Sequence, residues 1–225
     1  INDRYDVWKI DPSMKKAPES LTNHFGRENN INLDAYNMNR DEEYFEPKAD
    51  IFLRVFNYTN KQSGYYKTKL NSKSDPEKLV MDDYEYGRPL KAKNADRMIW
   101  HKESFKEYYD LWTSTTDLTN IEKISNENPQ QDNYRWGEVE LVKWITPDGT
   151  EEEGLLYKPE NFDPDKKYPM IVYFYRLHSN NIHRHSVPKP SRSVINPTFY
   201  VSNGYFVFMP NIRYKEGYPG ESSYN

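Results

Sequence analysis

The sequence predicts a β segment over residues 1–136, followed by the first strands of an α/β sheet over residues 137–225. In the first part, short apolar and aromatic runs recur between polar turns without sustained helical spacing, which is typical of strands. In the second part, a strand signal beginning at Tyr168 is followed by a short helix signal and another strand signal. That order is typical of parallel strands joined by a crossover helix.

The composition is that of a folded, polar protein. Aromatic residues make up 16% of the 225 residues, which is too many for a disordered chain. The net charge of −4, with no basic stripe, argues against nucleic acid as the main partner. The sequence has no Cys, so disulfides and thiolate metal sites are excluded, and no apolar run is long enough to span a bilayer. The compartment is not fixed by these residues, and an extracytoplasmic or periplasmic location stays open.

Seven strand signals are found in the first part, with Lys102–Tyr109 ambiguous between helix and strand. They are Tyr5–Ile10, Ile51–Phe56, Tyr65–Leu70, Lys78–Met81, Arg97–His101, Tyr108–Thr113 and Asn120–Ile124. Short strands at fairly regular spacing are typical of a sandwich, a barrel or a propeller.

A weak internal repeat favours the propeller among these. Tyr5-Asp-Val-Trp8 and Tyr109-Asp-Leu-Trp112 share a Tyr-Asp-x-Trp core. Each is followed by a candidate outer strand, Glu19–Thr22 and Asn120–Ile124 respectively. Two unrelated strands with common residues explain the same similarity, so this alternative stays open.

A polar, Pro-containing stretch, Ser125–Asn133, marks a boundary before the second part. The strand signals Glu138–Ile145 and Gly154–Lys158 flank the turn Thr146–Thr150, which predicts a hairpin. The run Tyr168–Tyr175 is apolar on both faces, as expected of a central parallel strand.

A helix is predicted over Pro197–Asn203, because Asn196 is a good N-cap, Pro197 suits the first helical position and Gly204 suits the stop. The strand Tyr205–Met209 follows it. With no later strand in these residues, we expect this strand to have an open edge.

The second part resembles the start of the catalytic domain in the prolyl oligopeptidase family of serine peptidases. The similarity lies in Gly154-Leu-Leu-Tyr-Lys-Pro159, Tyr168-Pro-Met-Ile-Val-Tyr-Phe-Tyr175 and Asn203-Gly-Tyr-Phe-Val-Phe-Met-Pro-Asn-Ile-Arg213. The resemblance implies the C-terminal blades of a β-propeller over residues 1–136 and the N-terminal portion of an α/β-hydrolase domain over residues 137–225.

The resemblance also implies a function: hydrolysis of short peptides by a Ser-His-Asp mechanism, without a cofactor. The nucleophile motif Gly-x-Ser-x-Gly occurs nowhere in the sequence. We therefore expect an internal fragment whose triad lies beyond residue 225, which is inactive alone and whose partners are the remainder of its own catalytic domain and a peptide substrate.

Two residues are candidates for the site. The family resemblance implies that Tyr175 donates its hydroxyl to the oxyanion of the transition state, and the alternative is a core aromatic. Arg213 ends the last predicted strand and is a candidate for substrate contact. Its alternative is structural, with the guanidinium bonding carbonyls or carboxylates to orient a loop.

Three features depart from the family or compete with this interpretation. The loop Arg176–His185 has no Gly, where many members carry a Gly-rich turn, so a non-catalytic propeller module with a degenerate hydrolase domain stays open. An esterase or acyl-peptide hydrolase on the same scaffold stays open as well. The acidic runs Glu42-Glu43 and Glu151-Glu152-Glu153 are interpreted as solvated turn charges and not as a pair that binds a substrate amino terminus.

The loop after Tyr175 also contains His178, His183 and His185, a spacing that metal sites use. The loop has no carboxylate, and Arg184 lies between two of the histidines. A solvated loop is therefore the preferred interpretation, and no metal is predicted.

Overall fold

The computed structural model of the chain describes residues 1–38, 41, 43–214 and 217–221. The chain divides into two compact units: Ile1–Glu103 with Tyr109–Glu127, and Ser104–Tyr108 with Asn128–Asn225. The described residues are mostly β-sheet with few helices. None of the helices found in them has the length and apolar character needed to cross a membrane.

The first unit consists of short strands and one short helix. In chain order they are β1 Trp8–Lys9, β2 Glu19–Ser20, α1 Phe25–Asn29, β3 Ile31–Tyr36, β4 Asp50–Asn57, β5 Ser63–Lys69, β6 Glu77–Asp82, β7 Glu85–Tyr86, β8 Leu90–Lys91, β9 Met98–Glu103, β10 Asp110–Ser114 and β11 Glu122–Lys123.

These strands pair antiparallel with their neighbours. A four-stranded sheet has the order β3-β4-β5-β6, and a five-stranded sheet has the order β11-β10-β9-β7, with β8 as its fifth strand pairing with β9. Strands β1 and β2 form a separate pair. The alternating residues Ile31, Leu33 and Val55 are buried in one cluster, and Tyr65, Tyr86 and Trp100 are buried in another. Successive side chains of a strand point to opposite faces, and the neighbours Tyr65 and Tyr66 of β5 are therefore buried in different clusters.

Each strand signal predicted in this part overlaps an observed strand, but Tyr5–Ile10 is reduced to the two residues of β1. Strand β3 and helix α1 were not predicted. Residues Glu42 and Glu43 were predicted as solvated charges: Glu43 is exposed, and Glu42 lies outside the described residues.

The two Tyr-Asp-x-Trp segments form equivalent strand pairs. In the first, the buried Asp6 carboxylate accepts the Thr22 hydroxyl at 2.7 Å. The same hydroxyl accepts the N–H of Val7 at 3.2 Å. One residue before Thr22, the N–H of Leu21 donates to the carbonyl of Val7 at 2.8 Å.

The second segment repeats these contacts. The buried Asp110 carboxylate accepts the Ser125 hydroxyl at 2.6 Å, and that hydroxyl accepts the N–H of Leu111 at 2.9 Å. The N–H of Ile124 donates to the carbonyl of Leu111 at 2.9 Å. The weak sequence repeat therefore corresponds to a structural repeat, in which a buried Asp ties one strand to a Thr or Ser that follows the next.

The second unit contains β12 Glu138–Ile145, β13 Glu151–Lys158, β14 Met170–Val172, α2 Pro197–Val201 and β15 Phe206–Pro210. The sheet order is β12-β13-β15-β14. Strands β12 and β13 form the predicted hairpin, β13 pairs antiparallel with β15, and β14 pairs parallel with β15. Helix α2 begins as predicted, since the Asn196 side chain accepts the N–H of Phe199 at 2.9 Å.

The prediction of a central strand over Tyr168–Tyr175 was wrong. Strand β14 is three residues long and lies at the edge of the sheet, with Met170 and Val172 each 52% exposed. The interior strand is β15, which carries the fully buried Val207. The expectation of an open edge at Tyr205–Met209 was therefore also wrong, because β15 has a partner on each side and the open edge belongs to β14.

The ambiguous segment Lys102–Tyr109 contributes its middle, Ser104–Tyr108, to the second unit. The Trp136 indole N–H donates to the carbonyl of Phe105, and the Phe105 ring lies edge-on to Tyr157 at 5.2 Å. Lys106 pairs with Glu138 at 3.3 Å. This excursion of the chain supplies a buried aromatic side chain to the core of the second unit.

Candidate functional site

The candidate site residues lie around the end of β14 and the segment after β15. Strands β14 and β15 are parallel, so their carboxyl ends meet at the same edge of the sheet. This is the edge at which open α/β sheets place ligands. Tyr175 follows β14 and Asn211–Tyr214 follow β15, so both segments are brought to this edge.

Tyr175 is 72% exposed, and it belongs to none of the three buried clusters of the described residues. Its backbone carbonyl accepts the Tyr214 hydroxyl at 2.6 Å. Within the described part of the chain, no hydrogen bond from the hydroxyl of Tyr175 is found.

Arg213 contacts the beginning of β13. Its Nε lies 2.7 Å from Oε1 of Glu152, and its Nη2 donates to the carbonyl of Glu151 at 2.8 Å. These are a carboxylate and a carbonyl, the partners expected for a structural role. Substrate contact by Arg213 stays a prediction.

The interpretation of Glu151–Glu153 as solvated turn charges was wrong for two of the three residues. All three belong to β13, and the side chain of Glu152 is only 12% exposed against Arg213. The Glu153 carboxylate accepts the hydroxyl of the buried Ser179 at 2.7 Å. Glu151, 63% exposed and paired with Lys143 at 3.2 Å, is the one that matches the expectation.

Asn211 is a residue of this region that sequence reasoning missed. It is 8% exposed, and its Oδ1 accepts the backbone N–H of His178 at 2.7 Å and of Ser179 at 3.0 Å. Its Nδ2 donates to the Ser179 hydroxyl at 2.8 Å. A polar side chain directly after an apolar strand was the only signal in the sequence that pointed to it.

The three loop histidines lie in different surroundings. His185 is buried and stacks on Trp136 with ring centroids 4.8 Å apart, and Tyr108 meets it edge-on at 5.3 Å. Burial lowers the pKa of His185 and of His178 below the ordinary value, so both are neutral at pH 7. Over the described ranges, no group of three or more His, Asp or Glu side chains is arranged to hold a metal ion.

A cavity of about 370 Å³ lies in the second unit beside this loop. Its lining includes Leu155, Tyr157 and Met209 from strands of the sheet, together with Tyr173 and His178. The lining also includes the cations Arg184 and Lys189 and the polar side chains of Asn181, Ser186 and Asn196.

Comparison with solved structures finds peptidases. Dipeptidyl peptidase 4 from Porphyromonas gingivalis has a TM-score of 0.60 at 14% identity, covering 92% of this chain and 27% of that one. For Pyrococcus horikoshii acylaminoacyl peptidase the TM-score is 0.56 at 12% identity, covering 97% and 30%. For a post-proline cleaving enzyme from Rickettsia typhi it is 0.53 at 16% identity, covering 89% and 26%.

No protein-family model and no curated protein matches the sequence. The chain spans less than a third of the length of the solved chains that it resembles, 32% and 26% for two of them. The predicted resemblance is confirmed at the level of the fold, because the described residues have the fold of a part of peptidases of the prolyl oligopeptidase and dipeptidyl peptidase 4 type.

Proposed function

We propose that this chain is part of a serine peptidase that hydrolyses short peptides by a Ser-His-Asp mechanism. Residues 1–136 are partial blades of a β-propeller, and residues 137–225 are the N-terminal portion of an α/β-hydrolase domain. The four-stranded and the five-stranded antiparallel sheets of the first unit support the first assignment. The parallel pair β14 and β15 next to an antiparallel hairpin supports the second.

The observation that carries the proposal is the position of Tyr175 at the carboxyl end of a parallel strand, with its side chain 72% exposed. During acyl transfer the substrate carbonyl oxygen becomes negatively charged. A fixed donor at that point lowers the barrier and is worth about 100-fold or more in rate. An exposed phenol on an anchored backbone is suited to this role, whereas a buried Tyr is not.

The open edge of β14 supports a role for the remainder of the catalytic domain as partner. Met170 and Val172 are half exposed, and Phe174 is 64% exposed. An uncovered apolar edge strand with free backbone groups is a template for another strand. A further parallel strand, bearing the nucleophile at its carboxyl end, would cover this edge and approach Tyr175.

The nucleophile, the acid and the base are assigned to sequence beyond Asn225, because Gly-x-Ser-x-Gly is missing from residues 1–225. The test is to read the coding sequence past this point and to assay the full-length protein on short chromogenic peptides. We expect a Gly-x-Ser-x-Gly motif within a few dozen residues and hydrolysis that a Tyr175→Phe change lowers about 100-fold. If Tyr175→Phe left hydrolysis unchanged, the proposed role of Tyr175 would be wrong. If the motif were missing from the sequence that follows, the assignment as a serine peptidase would be wrong.

A second candidate is a non-catalytic propeller module with a degenerate hydrolase domain. It is favoured by the loop Arg176–His185, which lacks Gly and whose His178 and Ser179 amides are already bonded to Asn211. Substrate profiling also separates peptide hydrolysis from esterase or acyl-peptide hydrolase activity on the same scaffold.

A further inference from the structure

We propose that Asn211 is a positioning residue for Tyr175. It holds the Gly-free loop after Tyr175 in one conformation. Because it accepts hydrogen bonds from two backbone amides of that loop, those amides cannot donate to a substrate. The inference rests on the proposed function, since it assigns Asn211 a part in the same site.

The anchoring begins at the backbone. Oδ1 of Asn211 accepts two successive amides, His178 N–H at 2.7 Å and Ser179 N–H at 3.0 Å. The next residue continues the contact, because the N–H of Ile212 donates to the carbonyl of Arg176 at 2.8 Å. Tyr214 then bonds the carbonyl of Tyr175 at 2.6 Å. Residues 211, 212 and 214 thus bond to residues 175, 176, 178 and 179 in turn.

Asn211 is itself fixed from the other side. Its Nδ2 donates to the Ser179 hydroxyl at 2.8 Å and lies 3.4 Å from Oε1 of Glu153. The Ser179 hydroxyl donates to the same Glu153 oxygen at 2.7 Å. Ser179 is 1% exposed and Asn211 is 8% exposed, so these bonds form away from water. Buried hydrogen-bonded networks of this kind fix one conformation, because each unmade bond is costly.

This arrangement has a consequence for the site. Where a loop contains Gly, its backbone can turn its own amides toward a ligand. Here the amides at 178 and 179 point to Asn211 and are not available as donors. The exposed hydroxyl of Tyr175 remains as a donor at this edge of the sheet, and the segment after β15 holds the backbone that carries it.

The test is a double-mutant cycle in the full-length protein, with Asn211→Leu, Tyr175→Phe and the combination. We expect Asn211→Leu to lower kcat about 10-fold or more while KM changes less than about threefold, since misplacement of a transition-state donor acts on kcat. In the Tyr175→Phe background, Asn211→Leu should have no further effect on kcat. Losses in kcat that multiply, or a kcat that Asn211→Leu leaves unchanged, would overturn the proposal.

A matched variant and a second measurement complete the test. Asn203→Leu makes the same substitution at an exposed residue outside this network, whose side chain donates to the carbonyl of Phe199 at 2.7 Å, and we expect a kcat within about threefold of wild type. Amide hydrogen exchange of the wild-type protein covers the case in which Asn211→Leu does not fold. Protected amides at His178 and Ser179 are expected, and fast exchange at both would overturn the anchoring. A wild-type protein that hydrolyses no peptide would instead count against the proposed function. The hydrogen exchange of the His178 and Ser179 amides would still test whether Asn211 anchors the loop.

Discussion

Arg213 and Glu152 form an ion pair between the segment after β15 and the beginning of β13, with Nε 2.7 Å from Oε1. The carboxylate is 12% exposed, and the guanidinium is 65% exposed. Most of the free-energy cost of removing this pair from water therefore belongs to Glu152. A change at Arg213 leaves its carboxylate without a charged partner.

Arg213→Met is expected to lower the free energy of unfolding by about 1–2 kcal/mol, because it leaves a mostly buried carboxylate without its charge-assisted hydrogen bond. Lys143→Met is the matched control. It breaks the pair with Glu151, whose two side chains are 46% and 63% exposed, and should cost less than about 1 kcal/mol. Urea unfolding measures both, and equal costs for the two variants would show that burial of Glu152 does not matter.

The repeated Asp in the first unit gives a second prediction. Asp6 is fully buried and accepts the Thr22 hydroxyl at 2.7 Å and the N–H of Gly26 at 2.9 Å. Asp6→Ala leaves both donors buried without an acceptor, so we expect a loss of about 3 kcal/mol in the free energy of unfolding. Asp50→Asn, at a carboxylate 47% exposed and 3.9 Å from Lys69, should change it by less than about 1 kcal/mol. A loss below 1 kcal/mol for Asp6→Ala would contradict the structural role of the repeat.

Gly154 is needed for the close approach of β13 to β15. A Cβ at this position would lie 2.7 Å from Cα of Pro210 and 2.8 Å from the carbonyl oxygen of Met209. Gly154→Ala should therefore force the two strands apart at an expected cost of about 1–3 kcal/mol. Gly220→Ala, whose Cβ meets nothing within 4 Å, serves as the control and should be close to neutral. Equal melting temperatures for the two variants would contradict the sheet register.

A pH dependence follows from His185. Burial against Trp136 lowers the pKa of His185 below the ordinary value of 6.5. Below about pH 6.5 the unfolded chain therefore binds a proton at this residue more readily than the folded chain does. The part of the free energy of unfolding that depends on neutral His185 is thus fully present above about pH 6.5 and is lost as the pH falls below that value. His185→Phe should flatten this part of the profile by removing the proton site while keeping an aromatic ring on Trp136.

The control for that profile is His24→Asn. His24 is exposed and has a left-handed backbone with φ 61°, which Asn tolerates. Its profile should follow wild type between pH 7.5 and pH 5. If His185→Phe loses stability at low pH as steeply as wild type, His185 is not the group responsible, and burial of His178 or His101 would have to account for the slope.

The existence of most strands was predictable, and their order was not. Glu138–Ile145 shows a clear strand signal, and the structure has β12 over the same residues. Strand β3 was missed although Ile31, Leu33 and Ala35 alternate with polar residues, a pattern that would have indicated it. The position of β15 between β13 and β14 arises from pairing between residues distant in sequence, so a local apolar run does not tell an edge strand from an interior one.

The candidate site was predictable to the same extent. Tyr175 was predicted from the family resemblance of the strand segment that ends with it, and such a resemblance is visible in the local sequence. Asn211 depends on two amides more than thirty residues earlier in the chain, and Glu153 on a hydroxyl at 179. Such long-range polar contacts have no signature in spacing, and a run of three Glu resembles a solvated turn until its partners are seen.

We propose that this chain is part of a working serine peptidase, and an active-site fluorophosphonate probe tests that proposal most directly on the full-length protein. We expect one serine beyond Asn225 to be labelled, with labelling slowed in Tyr175→Phe because the probe also places an oxygen where the oxyanion forms. A folded full-length protein that the probe does not label would contradict the claim and favour a non-catalytic homologue.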